Sequence, residues 1–258
     1  MTIDPSDWRL IAFDLDDTLA ESKSAIEPVM AQALARLLRW RLVGIISGGG
    51  FAQFDGQVLT RLPGDTNLAN LHLLPTCGTR YLRHVDGEWV ELYRQDLTAD
   101  EKSRVIESLT RQAKRLGSWE PDEKLAGERF EDRGSQITYS ALGQQARPAD
   151  KRLWDVGGAK RHALAAAVAA DVPDLQVAAG GSTSIDVTRR GVDKAYGMKQ
   201  LSARTGVPLE EMVFIGDRLE PGGNDYPVVC LGVATVAVSN WADTLSLVND
   251  ICRRLEEH

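Results

Sequence analysis

Cysteine is scarce in this sequence. Cys77, Cys230 and Cys252 are spread over 258 residues, with no Cys-x-x-Cys pair and no Cys/His cluster. That excludes a disulfide framework and leaves zinc without a ligand set. Three buried thiols in a reducing, cytoplasmic setting are expected. Excess basic charge is also missing: Lys and Arg number 30 against 37 Asp and Glu, a net charge of −7. Such a balance speaks against a nucleic-acid or anionic-membrane partner, while leaving room for a local basic pocket around a small phosphate ester. No apolar run approaches the roughly 20 residues of a membrane span. The opening MTIDPSDWRL lacks the basic-then-apolar order of a signal peptide. Repeats and low-complexity tracts are absent. What is present is 43% hydrophobic content, enough for a substantial core, in a length that suits one large domain or two small ones.

The chain is organised around Ile11–Leu19, IAFDLDDTL. An apolar strand, Arg9–Leu15, runs into Asp14 and Asp16, then Asp17 and Thr18. Strand side chains alternate between faces, but past the strand end the chain turns, and both carboxylates can then converge on one point. That point suits Mg²⁺, a hard cation that takes oxygen ligands, and a carboxylate there can attack phosphorus to form an aspartyl-phosphate. Taken alone, the stretch also reads as an acidic turn that is merely solvated.

A helix is predicted over Ser24–Trp40, with Val29, Ala33, Leu37 and Trp40 on its buried face and Pro28 in its first turn. A second buried strand, Leu42–Ile46, ends in Ser47-Gly48-Gly49-Gly50. A hydroxyl followed by glycines at such a junction can hold phosphate through Oγ and backbone N–H groups, or can be only a turn. A helix over Phe51–Leu62 and a strand over Leu71–Pro75 complete a βαβαβ order, the start of a Rossmann-like, doubly wound α/β core.

The pattern then changes. Asp86-Gly87 between Tyr81–Val85 and Glu88–Tyr93 signals a hairpin. Thr98-x-x-Glu101 is a capping box opening a helix to about Leu116. Strands are predicted over Glu128–Arg133 and Gln136–Leu142, helices over Pro148–Asp155 and Ala159–Ala170, and strands over Leu175–Ala179 and Ser182–Thr188. Such a mixture predicts an inserted α+β domain over residues 82–190, with the core formed by residues 1–81 and 191–258. The core resumes with a helix over Asp193–Thr205 and a strand over Met212–Ile215. Short strands over Val228–Leu231 and Thr235–Val238 follow. A helix over Trp241–Glu256 closes the chain, its buried stripe Val248, Ile251, Cys252 and Leu255.

Two further stretches carry chemistry. Lys194 begins a helix, where a cation is electrostatically misplaced because the helix N-terminus is already positive. That points to holding an anion such as phosphate or aspartyl-phosphate, although taken alone the residue reads more readily as a plain surface lysine. Met212–Tyr226, MVFIGDRLEPGGNDY, runs a strand into Asp217 and, past a glycine-rich loop, into Asn224 and Asp225. A carboxylate at that strand end can complete a metal site with Asp14 and Asp16, or form another acidic turn.

The order of DxDxT, a strand-end Ser, a Lys, and Gly-Asp with a following Asn-Asp resembles the haloacid dehalogenase superfamily, in the subgroup with a large α+β cap. Within it the sequence is most similar to the eukaryotic-type phosphomannomutases. The likeness rests on Ile46–Gly49, Gly180–Val187, Gly191–Lys194 and Gly216-Asp217-x-x-x-Pro221-Gly222-Gly223-Asn224-Asp225. It spans nearly the whole chain, loosely between Tyr93 and Gln176. The resemblance implies a Mg²⁺ enzyme acting on a phosphorylated sugar. Asp14 would be the nucleophile and a metal ligand. Asp16 would be the acid/base, its backbone carbonyl on the metal. Ser47, Gly48 and Lys194 would hold the transferring phosphoryl group. Asp217 would ligate the metal, supported by Asn224 and Asp225. Ser184 and Asp186 would contact the sugar or its distal phosphate. Mutases of this type pair through their caps, so a homodimer is an assembly the resemblance allows.

Departures from the family pattern concern the arginines that grip the distal phosphate. Arg133 falls on one. Gln144, Lys151 and Lys23 stand where others are expected, with Arg147 and Arg152 nearby. A bidentate guanidinium suits that grip, and a mutase must hold a bisphosphate while it turns around. The first reading is therefore a sugar-phosphate phosphatase, with a phosphohexomutase as alternative and a non-catalytic phosphosugar sensor as a second alternative.

Overall fold

Leu10–Phe13 is a run of four apolar residues with no solvent exposure, and it forms the first strand, β1, in a computed structural model that describes residues 8–257. Most of the opening decapeptide read for a leader lies outside these residues. The chain folds into two compact units. One comprises both ends of the chain, up to Arg94 and from Val192; the other is Gln95–Gly191.

In the first unit β1 is followed by α1 (Pro28–Leu37), β2 (Leu42–Ile46), α2 (Phe51–Gln57), β3 (Leu71–Leu74) and a hairpin, β4 (Arg80–Val85) and β5 (Glu88–Arg94). The second unit holds α3 (Ala99–Arg115), β6 (Phe130–Asp132), β7 (Gln136–Ser140), α4 (Pro148–Trp154), α5 (Ala159–Asp171), β8 (Leu175–Ala179) and β9 (Ser184–Arg189). The first unit then resumes with α6 (Lys194–Thr205), β10 (Met212–Gly216), α7 (Tyr226–Leu231), β11 (Ala234–Ala237) and α8 (Trp241–Glu256).

The first unit's sheet has the order β11-β10-β1-β2-β3-β4-β5. Its first five strands run parallel. Alternate residues of β1 feed two cores. Ile11 and Phe13 join Met30, Leu34 and Leu37 of α1 and Val248 and Ile251 of α8; Leu10 and Ala12 join Met198 and Leu201 of α6. Each large side chain buried in this way contributes about 1.5–3 kcal/mol, so β1 is anchored from both faces. The chain passes from β1 to β2 on one side and reaches β10 on the other. The carboxyl end of β1 is thus the topological switch point, where doubly wound sheets form their ligand crevice.

The second unit is an antiparallel sheet, β6-β7-β9-β8, with α3 and α5 against one face. Ile137 and Tyr139 of β7 pack into that apolar layer with Val105, Leu109, Leu164 and Val168. Gln136, Thr138 and Ser140 alternate with them and are also buried. The Thr98 capping box is formed in both directions, and its helix starts one residue later.

Several expectations are corrected. The Asp86-Gly87 hairpin forms, with both turn residues at positive φ. It belongs to the core sheet, however, because β4 pairs with β3 through His72↔Arg83 and Leu73↔Leu82. The insert therefore begins near residue 95 instead of 82. Val228–Leu231, read as a strand from its apolar run, is helical: Pro227 sits in the first turn, where its fixed φ suits a helix, and Gly232 closes it in the left-handed conformation. Val29 and Trp40 are 51% and 48% exposed. Helix α1 ends at Leu37, so Trp40 lies in the turn beyond it, and the buried face centres on Met30, Leu34 and Leu37. Only Cys252 is a buried thiol; Cys77 is half-buried and Cys230 exposed. No helix among the described residues is long and apolar enough to cross a membrane.

His72 in β3 is buried, and its Nδ1 lies 2.6 Å from the Tyr81 hydroxyl. Burial, reinforced by the nearby Arg83 charge, pushes its pKa down to about 4. The unfolded chain takes up that proton near pH 6.5, so folding loses stability as pH falls from about 6.5 through 4, by roughly 3 kcal/mol. Denaturant midpoints at pH 7 and pH 4 should differ less in His72→Gln than in the parent; an equal difference would contradict this.

Candidate active site

The Asp14 backbone N–H donates to Ile215 O at 3.0 Å, continuing the β1–β10 ladder one residue past the strand. The chain then folds back sharply. Asp17 takes a positive φ of 60°, its N–H donates to Ala20 O at 2.7 Å, and Leu15 and Leu19 are anchored without exposure beneath the turn. The adjacent Asp14 and Asp16 carboxylates go to different places.

The Asp14 carboxylate, 4% exposed, meets Lys194 Nζ at 2.7 Å. The same ammonium pairs with Asp225 Oδ1. Lys194 is the first residue of α6, whose N-cap Asp193 accepts from Tyr196 N–H at 2.9 Å. Gly197 seats α6 against the sheet: a Cβ there would lie 2.9 Å from Ile46 Cγ2 and 3.1 Å from Cys77 O. The cation at the helix start, odd by sequence, is explained by its two carboxylate partners.

Asp225 arrives through the glycine-rich loop after β10. Its N–H donates to Arg218 O at 3.2 Å, and its Oδ2 accepts from Arg218 N–H at 3.1 Å. Gly223 permits this closure, since a Cβ would lie 2.1 Å from Arg218 O. Gly216 leaves the space that Asp225 Oδ2 occupies, 2.4 Å from where a Cβ would sit.

Asp14, Asp217 and Asp225 each offer a carboxylate oxygen within 4.8 Å of the others. Thr18 Oγ1 donates to Asp217 Oδ1 at 3.4 Å. Burial pushes the Asp14 pKa up to about 7, with Asp225 adding to the rise and Lys194 opposing it. Burial and Asp225 also raise Asp217. Burial alone would lower Lys194, but Asp14 and Asp225 more than offset it and hold the ammonium charged. Three carboxylates share one cation, and fully ionised they leave two negative charges uncompensated. A hard dication with oxygen ligands fits that donor set and charge. Mg²⁺ at about 100 times its dissociation constant should stabilise the protein by about 2.7 kcal/mol. For a chain of this size that is a rise of about 5–10 °C in the unfolding temperature. Chelation should reverse the shift, and Asp217→Asn should diminish it; a Mg²⁺-insensitive unfolding temperature would contradict the assignment.

The other expected residues fall into three groups. Ser47, buried at the end of β2, accepts at Oγ from Gly49 N–H at 3.2 Å, and Gly48 follows with open space where a Cβ would be. Asp16 stands outside the three-carboxylate cluster: its side chain turns to α2, accepting from Gln53 Nε2 at 2.8 Å and from Lys23 N–H at 2.7 Å. Asn224 is exposed. The remainder lie in the second unit. Arg133 donates to Glu131 Oε2 at 2.7 Å, Lys151 Nζ donates to Gln144 O at 2.9 Å, and Asp186 Oδ1 accepts from Thr138 Oγ1 at 2.7 Å. Ser184 shares the face of β9 with Asp186, two residues on. Arg147 forms a two-point contact with Asp150 in solvent. Sequence reading missed Gln53 and Gln57; their spacing of four, on a helix entered from the Ser47 turn, was the available signal.

A buried aspartate paired with lysine at the switch point of a doubly wound sheet, beside an acidic metal-type cluster, defines a class. The chain resembles the haloacid dehalogenase-superfamily phosphotransferases. Within that class it resembles the phosphomannomutases. The eukaryotic phosphomannomutase family model matches residues 127–254. Phosphomannomutase 2 of Dictyostelium discoideum is 24% identical over 92% of this chain and 94% of its own. Among solved structures, a haloacid dehalogenase-like hydrolase from Bacteroides thetaiotaomicron aligns at a TM-score of 0.61 with 16% identity, covering 95% of this chain and 99% of that one. N-terminally truncated, IMP-bound IMP-nucleotidase of Plasmodium falciparum aligns at 0.68 with 14% identity, over 95% of this chain and 68% of that one. The chain is an enzyme, phosphatase or mutase, and the sensor reading is set aside.

Proposed function

We propose that this enzyme is a phosphohexomutase of the phosphomannomutase kind, moving a phosphoryl group between the 1- and 6-positions of a hexose through an aspartyl-phosphate on Asp14. The observation that carries this reading over the phosphatase first expected is the likeness to phosphomannomutases along nearly the full length of both chains. Mg²⁺, held by Asp14, Asp217 and Asp225 with the Asp16 carbonyl and Asn224 in support, would neutralise phosphate charge and polarise a phosphoryl oxygen. Asp14 attacks phosphorus in line, and the bond from phosphorus to the sugar oxygen breaks. Asp16 gives its proton to that oxygen and later takes one from the hydroxyl that attacks the aspartyl-phosphate. Acid–base help of this kind is typically worth about 10²–10⁴-fold. Lys194 and the Ser47–Gly48 turn hold charge on the transferring group, where most phosphoryl-transfer catalysis lies. Arg133, Lys151, Ser184 and Asp186 bind the sugar or its distal phosphate.

A second reading, a sugar-phosphate phosphatase, is favoured by one feature. Gln144 is neutral where an arginine is expected, and Lys151 is committed to the Gln144 carbonyl. Product analysis separates the two. Mannose 1-phosphate and glucose 1-phosphate are incubated with Mg²⁺, with and without a hexose 1,6-bisphosphate. Bisphosphate-dependent hexose 6-phosphate with little free phosphate supports the mutase. Free phosphate without isomerised ester overturns it for the phosphatase.

A further inference from the structure

We propose that Gln53, backed by Gln57, is the positioning residue for the Asp16 carboxylate. This rests on the reading of Asp16 as acid/base. Asp16 is only half-buried, at the start of a tight turn, and an aspartate there has several staggered side-chain orientations open to it. Three groups restrict it. Lys23 N–H donates to Oδ1 at 2.7 Å, Gln53 Nε2 donates to Oδ2 at 2.8 Å, and Gln57 Nε2 reaches Oδ1 at 3.4 Å. Among the described residues Gln53 supplies the one side-chain hydrogen bond to Oδ2, so it fixes the rotation of the carboxylate about its own axis.

The two amides are themselves held. Gln53 Nε2 also donates to Gln57 Oε1 at 2.8 Å, and Gln57 Nε2 donates to Ser24 O at 2.6 Å. Gln57 is 5% exposed, so its amide is a rigid support. Residues 53 and 57 are one turn apart on α2 and project to the same side. Gly49 completes the arrangement: a Cβ there would lie 1.9 Å from Gln53 Oε1. The third glycine-turn position thus vacates the volume that Gln53 fills, a reason for glycine distinct from phosphate binding. Because α2 begins directly after the Ser47 turn, the element that presents the phosphate-holding turn also aims the proton-transferring group. Misplacing such a group by about 1 Å can cost about 10²-fold in rate.

The test compares two leaving groups in single turnover. Hexose 1-phosphate needs a proton on its departing oxygen, whereas 4-nitrophenyl phosphate releases a stable phenolate without one. The variants are Gln53→Ala, Gln53→Leu and, as reference, Asp16→Asn. Residue 53 lies on the half-exposed side of a helix and alanine favours helix, so the fold should survive; circular dichroism checks this. Both Gln53 variants should cleave hexose 1-phosphate about 10- to 100-fold more slowly, with KM within about twofold and the nitrophenolate burst within about threefold. Asp16→Asn should show the same selectivity more strongly. If Asp16→Asn discriminates between the leaving groups and the Gln53 variants slow both equally or neither, the positioning role is overturned while the acid/base reading stands. If Asp16→Asn itself does not discriminate, the acid/base reading falls and this proposal with it.

Discussion

Asp14→Asn is expected to abolish phosphoryl transfer while leaving the protein folded. Asparagine keeps the shape of the side chain but offers no anionic oxygen to phosphorus. Loss of a covalent nucleophile typically removes several orders of magnitude, and at least about 10⁴-fold is expected here. The fold should tolerate the change because burial already works against the Asp14 charge, lifting its pKa to about 7. Lys194 also keeps its second partner in Asp225. A stability change within about 1 kcal/mol is expected. Single-turnover phosphoenzyme formation and a thermal melt on the same preparation measure both halves. Retained turnover in a folded variant would sink the mutase and phosphatase readings together.

Lys194→Met should have the largest structural effect. The ammonium is 1% exposed, and it faces Asp14 and Asp225, themselves 4% and 0% exposed. Methionine fills similar space without charge and strands two carboxylates in a buried site. Breaking a buried pair in this way typically costs about 3–5 kcal/mol. The pH dependence follows from the direction of the shifts. Burial already raises Asp14 from the ordinary carboxylate value of 3.8 to about 7 with the cation present, and removing the cation raises it further. A carboxyl whose folded pKa lies above its unfolded one favours folding at low pH and loses that contribution as pH rises. The deficit of the variant should therefore change little between about pH 4 and 6 and grow as pH rises through 7 to about 9, where Asp14 ionises in the parent but stays protonated in the variant. Urea midpoints of parent and variant across that range give the test. A pH-independent deficit would mean that Lys194 acts by packing, not by charge.

Much of the core was legible because its signals are local. An apolar strand ending in Asp-x-Asp-x-Thr, glycines where chains approach closely, and a capping box each act over a few residues, and the structure forms the corresponding elements. What was not legible depends on pairing over distance. The Asp86-Gly87 hairpin was recognised as a hairpin, but its membership of the core sheet is decided by β3, whose register with β4 no local pattern specifies. Val228–Leu231 shows apolarity overriding stronger evidence, since Pro227 and Gly232 marked both ends of a helix. The Asp14 and Asp16 spacing suggested convergence, yet the turn at Asp17 sends one carboxylate to Lys194 and the other to Gln53. Lys194 looked anomalous until its partners, Asp14 at the end of β1 and Asp225 past the glycine-rich loop after β10, came into contact with it.

The most direct measurement is to locate the phosphoryl group on the protein. The enzyme is mixed with Mg²⁺ and a hexose 1,6-bisphosphate, quenched in acid within one turnover, digested and mapped by mass spectrometry. The expected result is a phosphoryl group on the peptide containing Asp14, absent in Asp14→Asn. A phosphoryl group on another residue, or turnover with none on Asp14, would contradict the account.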